Sequence, residues 1–254
     1  MHSVAFSPDG RALVSAGADG RVLLWTLTNV KKPQTLLRWD SGVSQVRFAK
    51  DGKALLVAGF DSEMELVDIA TRERLQSFDC PCRDIRAVDV SADGKLVAAA
   101  GRNGVIRVWD INTGKKVWDR KAHRMRVRDL AFSPDSQTLV SASEDRMIRV
   151  WNVSTGAIVG ALPRQKAKVL AISLLEDDRL VVGGSNNAIQ IWDMNTGKLI
   201  RRLVGHTGSV STLATAGSVL ASGSFDTTVG VWDLSKPTSV TTQRQRQVGE
   251  DLVR

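Results

Sequence analysis

The 254-residue sequence predicts an all-β fold built from six copies of one small four-stranded antiparallel sheet, and three observations carry that reading. The first is local. Residues 123–151 hold an alternating apolar run (Val127, Leu130, Phe132), a turn (Ser133-Pro134-Asp135-Ser136), a second run over 139–143, a polar turn (Glu144-Asp145-Arg146) and a third run that ends at Trp151. Another apolar segment, 157–162, follows Ser154-Thr155-Gly156, so the stretch reads as strands joined by hairpin turns. The second observation is periodic. The position of Trp151 recurs as Trp25, Val67, Trp109, Trp151, Trp192 and Trp232, at intervals of 42, 42, 42, 41 and 40 residues, and a period of this size marks an array of one supersecondary unit. The third is the recurrence of both turns in phase with it: Ser7-Pro8-Asp9-Gly10, Ala49-Lys50-Asp51-Gly52 and Ser91-Ala92-Asp93-Gly94 before the Trp position, Asn112-Thr113-Gly114 and Asn195-Thr196-Gly197 after it. Asn, Asp and Gly suit hairpins because such turns need positive φ. A single sheet of this size does not stand alone, since both faces carry apolar residues; its neighbours in the array supply the cover.

Taken in order, the repeats occupy about 1–39, 40–80, 81–122, 123–164, 165–205 and 206–240, as one domain over 1–240, with 241–254 as a polar tail. The first begins inside a strand and continues through 13–16 and 22–25 into a longer connection over 26–33. The second keeps the pattern but puts Val67 in the Trp position; the third spans 85–118. The fifth has a divergent first turn, Leu175-Glu176-Asp177-Asp178, and the sixth runs from Val210 to Asp233. An outer strand for the sixth unit is expected at 239–245.

The phase of these features resembles the WD40 repeat family. The carrying residues are Trp109-Asp110, Trp192-Asp193 and Trp232-Asp233, with Gly205-His206 at the head of the last repeat, and the resemblance covers residues 1 to about 240. It implies a β-propeller of six four-stranded blades, a platform for binding other proteins. Such rings usually have seven blades, so two closures are open: a ring of six, or an incomplete seven-bladed ring whose seventh blade needs residues from outside this sequence, the latter favoured by the polar 243–245 and the abrupt start.

The resemblance also implies a hydrogen-bonded chain in each blade, from a His before the first strand through a Ser on the second and an Asp in the second turn to the Trp. Repeat four has His123, Ser141, Asp145 and Trp151; repeat six has His206, Ser222, Asp226 and Trp232. An indole N–H only donates and needs an acceptor, and a carboxylate can fix an imidazole tautomer. Repeat one keeps Ser15, Asp19 and Trp25 without a His; repeats three and five substitute Asn103 and Asn186 for the Asp; repeat two keeps Asp61 but lacks the Trp and the His. A Ser-His-Asp set also suggests a hydrolase, but a nucleophile needs an exposed oxygen and an oxyanion site, whereas these sets recur at equivalent repeat positions and end on a Trp. The expectation is a structural staple, no catalytic residue and no enzyme.

Composition narrows the rest. Cys80 and Cys82 flank Pro81, a spacing unsuited to zinc and to an easy mutual disulfide, so they read as loop thiols; no metal and no cofactor are expected. No apolar run reaches transmembrane length, and no signal segment is visible, so no membrane association and an intracellular, cytoplasmic location are expected. The net charge of +8 is uneven. Lys121, Arg124 and Arg126 enter repeat four; Arg164, Lys166 and Lys168 enter repeat five; Arg102 and Arg146 sit in second turns. In a propeller these loops emerge on one face, so a basic sector across blades three to five is the candidate partner-binding surface. The function expected is a non-catalytic protein–protein interaction scaffold that binds partners on the loop face and channel mouth. The alternative is a reader of acidic or phosphorylated ligands or of nucleic acid, although interleaved aromatics for base stacking are missing.

Overall fold

A computed structural model describes residues 1–82, 84–175 and 177–235, without the side chains of 29–31. Six antiparallel sheets follow one another along the chain. The first comprises β1 (Ser3–Phe6), β2 (Ala12–Ala16), β3 (Arg21–Thr26) and β4 (Asn29–Arg38); the second β5 (Val43–Ala49), β6 (Ala54–Gly59), β7 (Met64–Asp68) and β8 (Arg74–Ser77). The third holds β9 (Ile85–Val90), β10 (Leu96–Gly101), β11 (Val105–Asp110) and β12 (Lys116–Lys121); the fourth β13 (Val127–Phe132), β14 (Thr138–Ser143), β15 (Ile148–Asn152) and β16 (Ile158–Ala161). The fifth is β17 (Val169–Leu174), β18 (Arg179–Gly184), β19 (Ala188–Asp193) and β20 (Leu199–Val204), and the sixth β21 (Val210–Ala216), β22 (Val219–Ser224) and β23 (Val229–Asp233). Strands pair in sequence order within each sheet, which is what tight hairpins between successive runs produce. The architecture is the all-β propeller class with six blades. The outer strand expected at 239–245, and the tail after it, lie outside the described residues.

The predicted turns close as their chemistry requires. Ser7, Ser91 and Ser133 each donate through Oγ to the Asp two residues on, at 2.6, 2.7 and 2.5 Å, and those Asp carboxyls are held below the usual carboxylate range first by that hydroxyl. After the Trp position, Asp110, Asn152 and Asp193 accept from the amide three residues later at 2.8 to 3.0 Å, and Gly114, Gly156 and Gly197 take φ near +65°, where a glycine costs least. One segment departs from the reading. Of the connection expected over 26–33, residues 29–33 belong to β4 and only 27–28 form the turn, and register shifts along β3 absorb the extra residues. Pro33 is accommodated because β4 is an edge strand, where a missing N–H interrupts no ladder.

Each sheet has two flanks. One carries the Trp position and the residue opposite it: Leu13 faces Trp25, Leu55 faces Val67, Val97 faces Trp109, Leu180 faces Trp192 and Leu220 faces Trp232. The other is aliphatic. The core consists of aliphatic flanks packed on the Trp-side flank of the next sheet: Leu56, Met64 and Leu66 meet Val97 and Trp109; Ala98, Ile106 and Val108 meet Leu139 and Trp151; Val181, Ile189 and Ile191 meet Leu220 and Trp232. By contact density the described residues form two compact units, Met1–Leu139 with Trp151–Ala157, and Val140–Val150 with 158–235.

Candidate functional site

The best-defined polar constellation is in the sixth sheet. The Ser222 hydroxyl on β22 lies 2.7 Å from His206 Nε2 and accepts from Trp232 Nε1 at 2.8 Å. On the other side of the imidazole, Nδ1 is 3.0 Å from Asp226 Oδ2 and 3.1 Å from Thr228 Oγ1. Asp226 also accepts from the Thr207 amide at 2.8 Å, the Thr228 amide at 3.0 Å and the Thr228 hydroxyl at 2.5 Å. Burial by itself pushes the Asp226 carboxyl up; the Thr228 hydroxyl, the two amides and His206 outweigh it and hold the group well below the usual carboxylate range. His206, Ser222 and Trp232 are buried, and the Ser222 oxygen already serves an indole and an imidazole. A hydroxyl so engaged is in no position to attack a substrate. The set meets the needs of a buried indole: it supplies an acceptor and fixes the tautomer of the imidazole bonded to that acceptor.

Sequence reasoning overlooked three members of this set. Thr207 and Thr228 flank the histidine and the aspartate, and their signal was the short hydroxyl residue beside each. Gly230 is the third. A Cβ there would come within 2.8 Å of Trp232 Nε1 and 2.9 Å of Ser222 Oγ, so the staple needs the empty space of a glycine.

The other repeats vary the same parts. Trp25 Nε1 donates to Ser15 Oγ at 2.8 Å. His123, Ser141 and Trp151 are buried, with exposures of 2%, 0% and 2%, and Asp145 pairs with Arg149 at 3.6 Å. In the second sheet the place expected to lack its histidine, four residues before the first strand, holds Trp39, whose Nε1 is buried with no acceptor among the described residues. The Ser position there is Val57, fully buried, so the second sheet is held by apolar packing. Trp192 Nε1 in the fifth sheet likewise finds no acceptor among the described residues, because Val182 occupies the Ser position.

The candidate binding cations lie on loops tied to one another by backbone. In the first unit, Ala122 and His123 donate through their amides to the Gly104 carbonyl, both at 2.9 Å. A Cβ at Gly104, whose φ is +69°, would collide with the His123 carbonyl. This close approach gathers Arg102, Lys121 and Arg124, all exposed, and Lys121 Nζ caps the Asn103 carbonyl at 2.5 Å. Arg126 is more committed: its Nη2 lies 3.1 Å from Asp84 Oδ2. The opposite oxygen of Asp84 holds Arg86 Nε at 2.7 Å, and the Arg86 guanidinium sits 4.7 Å from the centre of the Phe60 ring. Asp84 and Arg86 were not anticipated; an acidic residue directly ahead of an apolar strand was the sign the sequence offered, and the structure puts Asp84 at φ +67°. In the second unit the Gln165 amide donates to the Arg146 carbonyl at 2.9 Å, which gathers Arg146, Arg164 and Lys166, while Lys168 is paired with Glu144 at 3.3 Å. The eight candidate cations thus lie on two pairs of loops, Arg102, Lys121, Arg124 and Arg126 in one compact unit and Arg146, Arg164, Lys166 and Lys168 in the other, with Arg126 and Lys168 in ion pairs.

The expectation of free loop thiols is corrected. Cys80 and Cys82 are joined as a disulfide, with Cα atoms 5.0 Å apart. The physical reason is a tight turn at Pro81, where the Cys82 amide donates to the Cys80 carbonyl at 2.5 Å and both side chains turn inward to bury. Among the described residues no group of three His, Cys, Asp or Glu could hold a metal ion, and no helix is long and apolar enough to cross a membrane.

Comparison with known proteins agrees with this repeat anatomy. The profile of the WD40 family, described as WD domain, G-beta repeat, matches residues 1–26, 72–110, 114–152 and 197–233, more than half of the chain. Two of the unmatched spans, 27–71 and 153–196, include Val67 and Trp39 in the one and Val182 in the other, where staple residues are replaced. The mitochondrial division protein 1 of Neurospora crassa is 44% identical over 57 residues, 22% of this chain and 9% of that protein. The WD repeat-containing protein pop1 of Schizosaccharomyces pombe is 38% identical over 74 residues, 29% of this chain and 10% of that protein. The chain therefore spans about a tenth of the length of these curated relatives. Among solved structures, the computationally designed Ika8 protein is similar with a TM-score of 0.78 and 27% identity, over 97% of this chain and 74% of that one. The chain belongs to the WD40 repeat family, whose propellers are generally non-catalytic scaffolds for protein interactions.

Proposed function

We propose that this chain is a non-catalytic scaffold that captures an acidic segment of a partner protein on its loop cations. The observation that supports the reading is that Arg102, Arg146, Arg164 and Lys166 have no carboxylate partner among the described residues, although each sits on a loop fixed by backbone hydrogen bonds to its neighbour. Cations on rigid loops keep their charge available and lose little entropy when a carboxylate arrives. Opposite charge at such a rim steers association and is weakened by salt. The Arg146, Arg164 and Lys166 cluster is the better developed of the two, because the carboxylates of the same turn are engaged elsewhere, Glu144 by Lys168 and Asp145 by Arg149.

Fluorescence anisotropy with a labelled glutamate-rich peptide tests the reading. Binding should weaken with ionic strength. The double variant Arg164→Glu/Lys166→Glu should lose about tenfold in affinity, from two attractions of up to ~1 kcal/mol each. Equal binding by the variant, or preferential capture of a single-stranded DNA of similar length, overturns it.

A further inference from the structure

The third sheet lacks the staple and holds a buried charge in its place. Ala99 on β10 stands where Ser222 stands in the sixth sheet, and Arg107 on β11, in register with it, stands where Gly230 stands. Ala99 is fully buried and Arg107 is 8% exposed, the most deeply buried lysine or arginine among the described residues. Burial pushes the Arg107 guanidinium down from its ordinary value; Asp119, opposite on β12, and Asp79 counter this only in part. Asp119 is itself paired with Lys116 at 2.7 Å. Among the described residues the one hydrogen bond of the Arg107 side chain runs from Nη1 to Cys82 Sγ, at 3.4 Å. Pro81, between the two cysteines, stands at the histidine place four residues before β9. Its carbonyl accepts from Asn103 Nδ2 at 2.8 Å, which ties the disulfide loop to the turn that carries Arg102. All of these residues belong to the first compact unit.

A buried guanidinium calls for an anion, and a disulfide sulfur is only a weak, neutral acceptor. Reduction supplies the anion. A cationic neighbour brings a cysteine thiol from about 8.5 into the range of about 3.5–7.5, where it is a thiolate near neutral pH. We propose that Cys80 and Cys82 are a reversible dithiol–disulfide couple for thiols of the glutathione class, its reduced form stabilised by an ion pair between the Cys82 thiolate and Arg107. One glutathione thiolate attacks Cys80 Sγ. The S–S bond breaks and its electron pair leaves on Cys82 Sγ, beside Arg107, because the more acidic thiol is the better leaving group. A second glutathione thiolate then attacks the glutathione sulfur of the mixed disulfide and releases Cys80. The protein gains two electrons and two glutathiones become their disulfide; one of their thiol protons ends on Cys80 and the other in solvent. Both cysteines are buried, so exchange requires the Pro81 turn to open, which governs its rate and not its equilibrium.

The test equilibrates the intact chain in mixtures of reduced and oxidised glutathione, quenches with acid, alkylates the free thiols and counts them by mass. The equilibrium constant for reduction should rise about tenfold between about pH 6 and pH 8, because forming the Cys82 thiolate releases a proton. Carboxylates such as Asp79, Asp84 and Asp119 do not titrate in this window. Arg107→Met should give a nearly flat profile and be about tenfold harder to reduce at about pH 8. Cys80→Ser, which keeps Arg107 and cannot close the bond, reads Cys82 directly: its thiolate absorbance should be half developed by about pH 7. A wild-type constant that does not change with pH overturns the proposal, as does a Cys82 thiol in Cys80→Ser that ionises only above about pH 8. A chain that keeps two free thiols in fully oxidised glutathione overturns it as well. The wild-type profile and the Cys80→Ser titration decide the matter even where Arg107→Met does not fold.

Discussion

Trp232 shows what one residue contributes here. Its indole lies 8% exposed between the fifth and sixth sheets, and its only polar atom is satisfied by Ser222. Trp232→Ala is expected to cost about 3–5 kcal/mol, the range for emptying a large aromatic site. His206→Ala should cost less, about 1–3 kcal/mol, because it strips partners from buried Ser222 and Asp226 without removing much volume. Urea melts of both variants check the ranking; a His206→Ala chain as stable as wild type removes the network from the account. Asp226 adds a pH dependence. Its folded carboxyl titrates below the ordinary value of 3.8, so its stabilisation is complete above that pH and is lost as the pH falls below it. The stability gap between wild type and Asp226→Asn should be flat from neutral pH down to about 5 and should narrow in more acid solution, as read from melts across a pH series.

At the scale of a single sheet, the second is the instructive one. It has neither Trp nor Ser at the staple positions, and a Trp39 Nε1 nearby with no acceptor among the described residues, yet every residue of β6 is buried. Apolar packing does there what hydrogen bonds do in the sixth sheet. Restoring the family residue with Val67→Trp is therefore expected to destabilise, by about 1–3 kcal/mol, since Val67 is 5% exposed in a filled site. Amide exchange gives the companion check: β6 should protect as well as β14, and faster exchange in β6 would mean that the missing staple weakens the sheet.

Across the molecule, position in the array decides what an equivalent residue is worth. Stability in a repeat protein sums over unit and neighbour terms. Trp109 serves an interface between two sheets, whereas Trp25 lies on a flank with Val4 and Phe6 exposed beside it. Trp109→Ala should cost about 3–5 kcal/mol, and Trp25→Ala no more than about 1.5 kcal/mol, because an indole already partly in water has less burial to lose. Denaturant melts at low protein concentration separate the two; equal costs would mean that the first flank is covered.

What the sequence determined by itself is the unit and its count. A period near 42 with Asp, Asn and Gly turns in phase is a local signal, because turn chemistry and strand alternation act within about ten residues, and it located all six sheets and the residues that bond to one another around His206. It also made Gly205-His206 and Trp232-Asp233 legible as parts of one constellation. Only the tertiary structure decided where charge is neutralised. Arg126 meets Asp84, and Lys168 meets Glu144, between loops well separated along the chain; no periodicity encodes such pairs, since they depend on which loops approach. Trp39 at the place of a missing histidine and the inward turn that joins Cys80 to Cys82 belong to the same class. Each residue is ordinary in sequence, and its role is set by what the fold does or does not place against it.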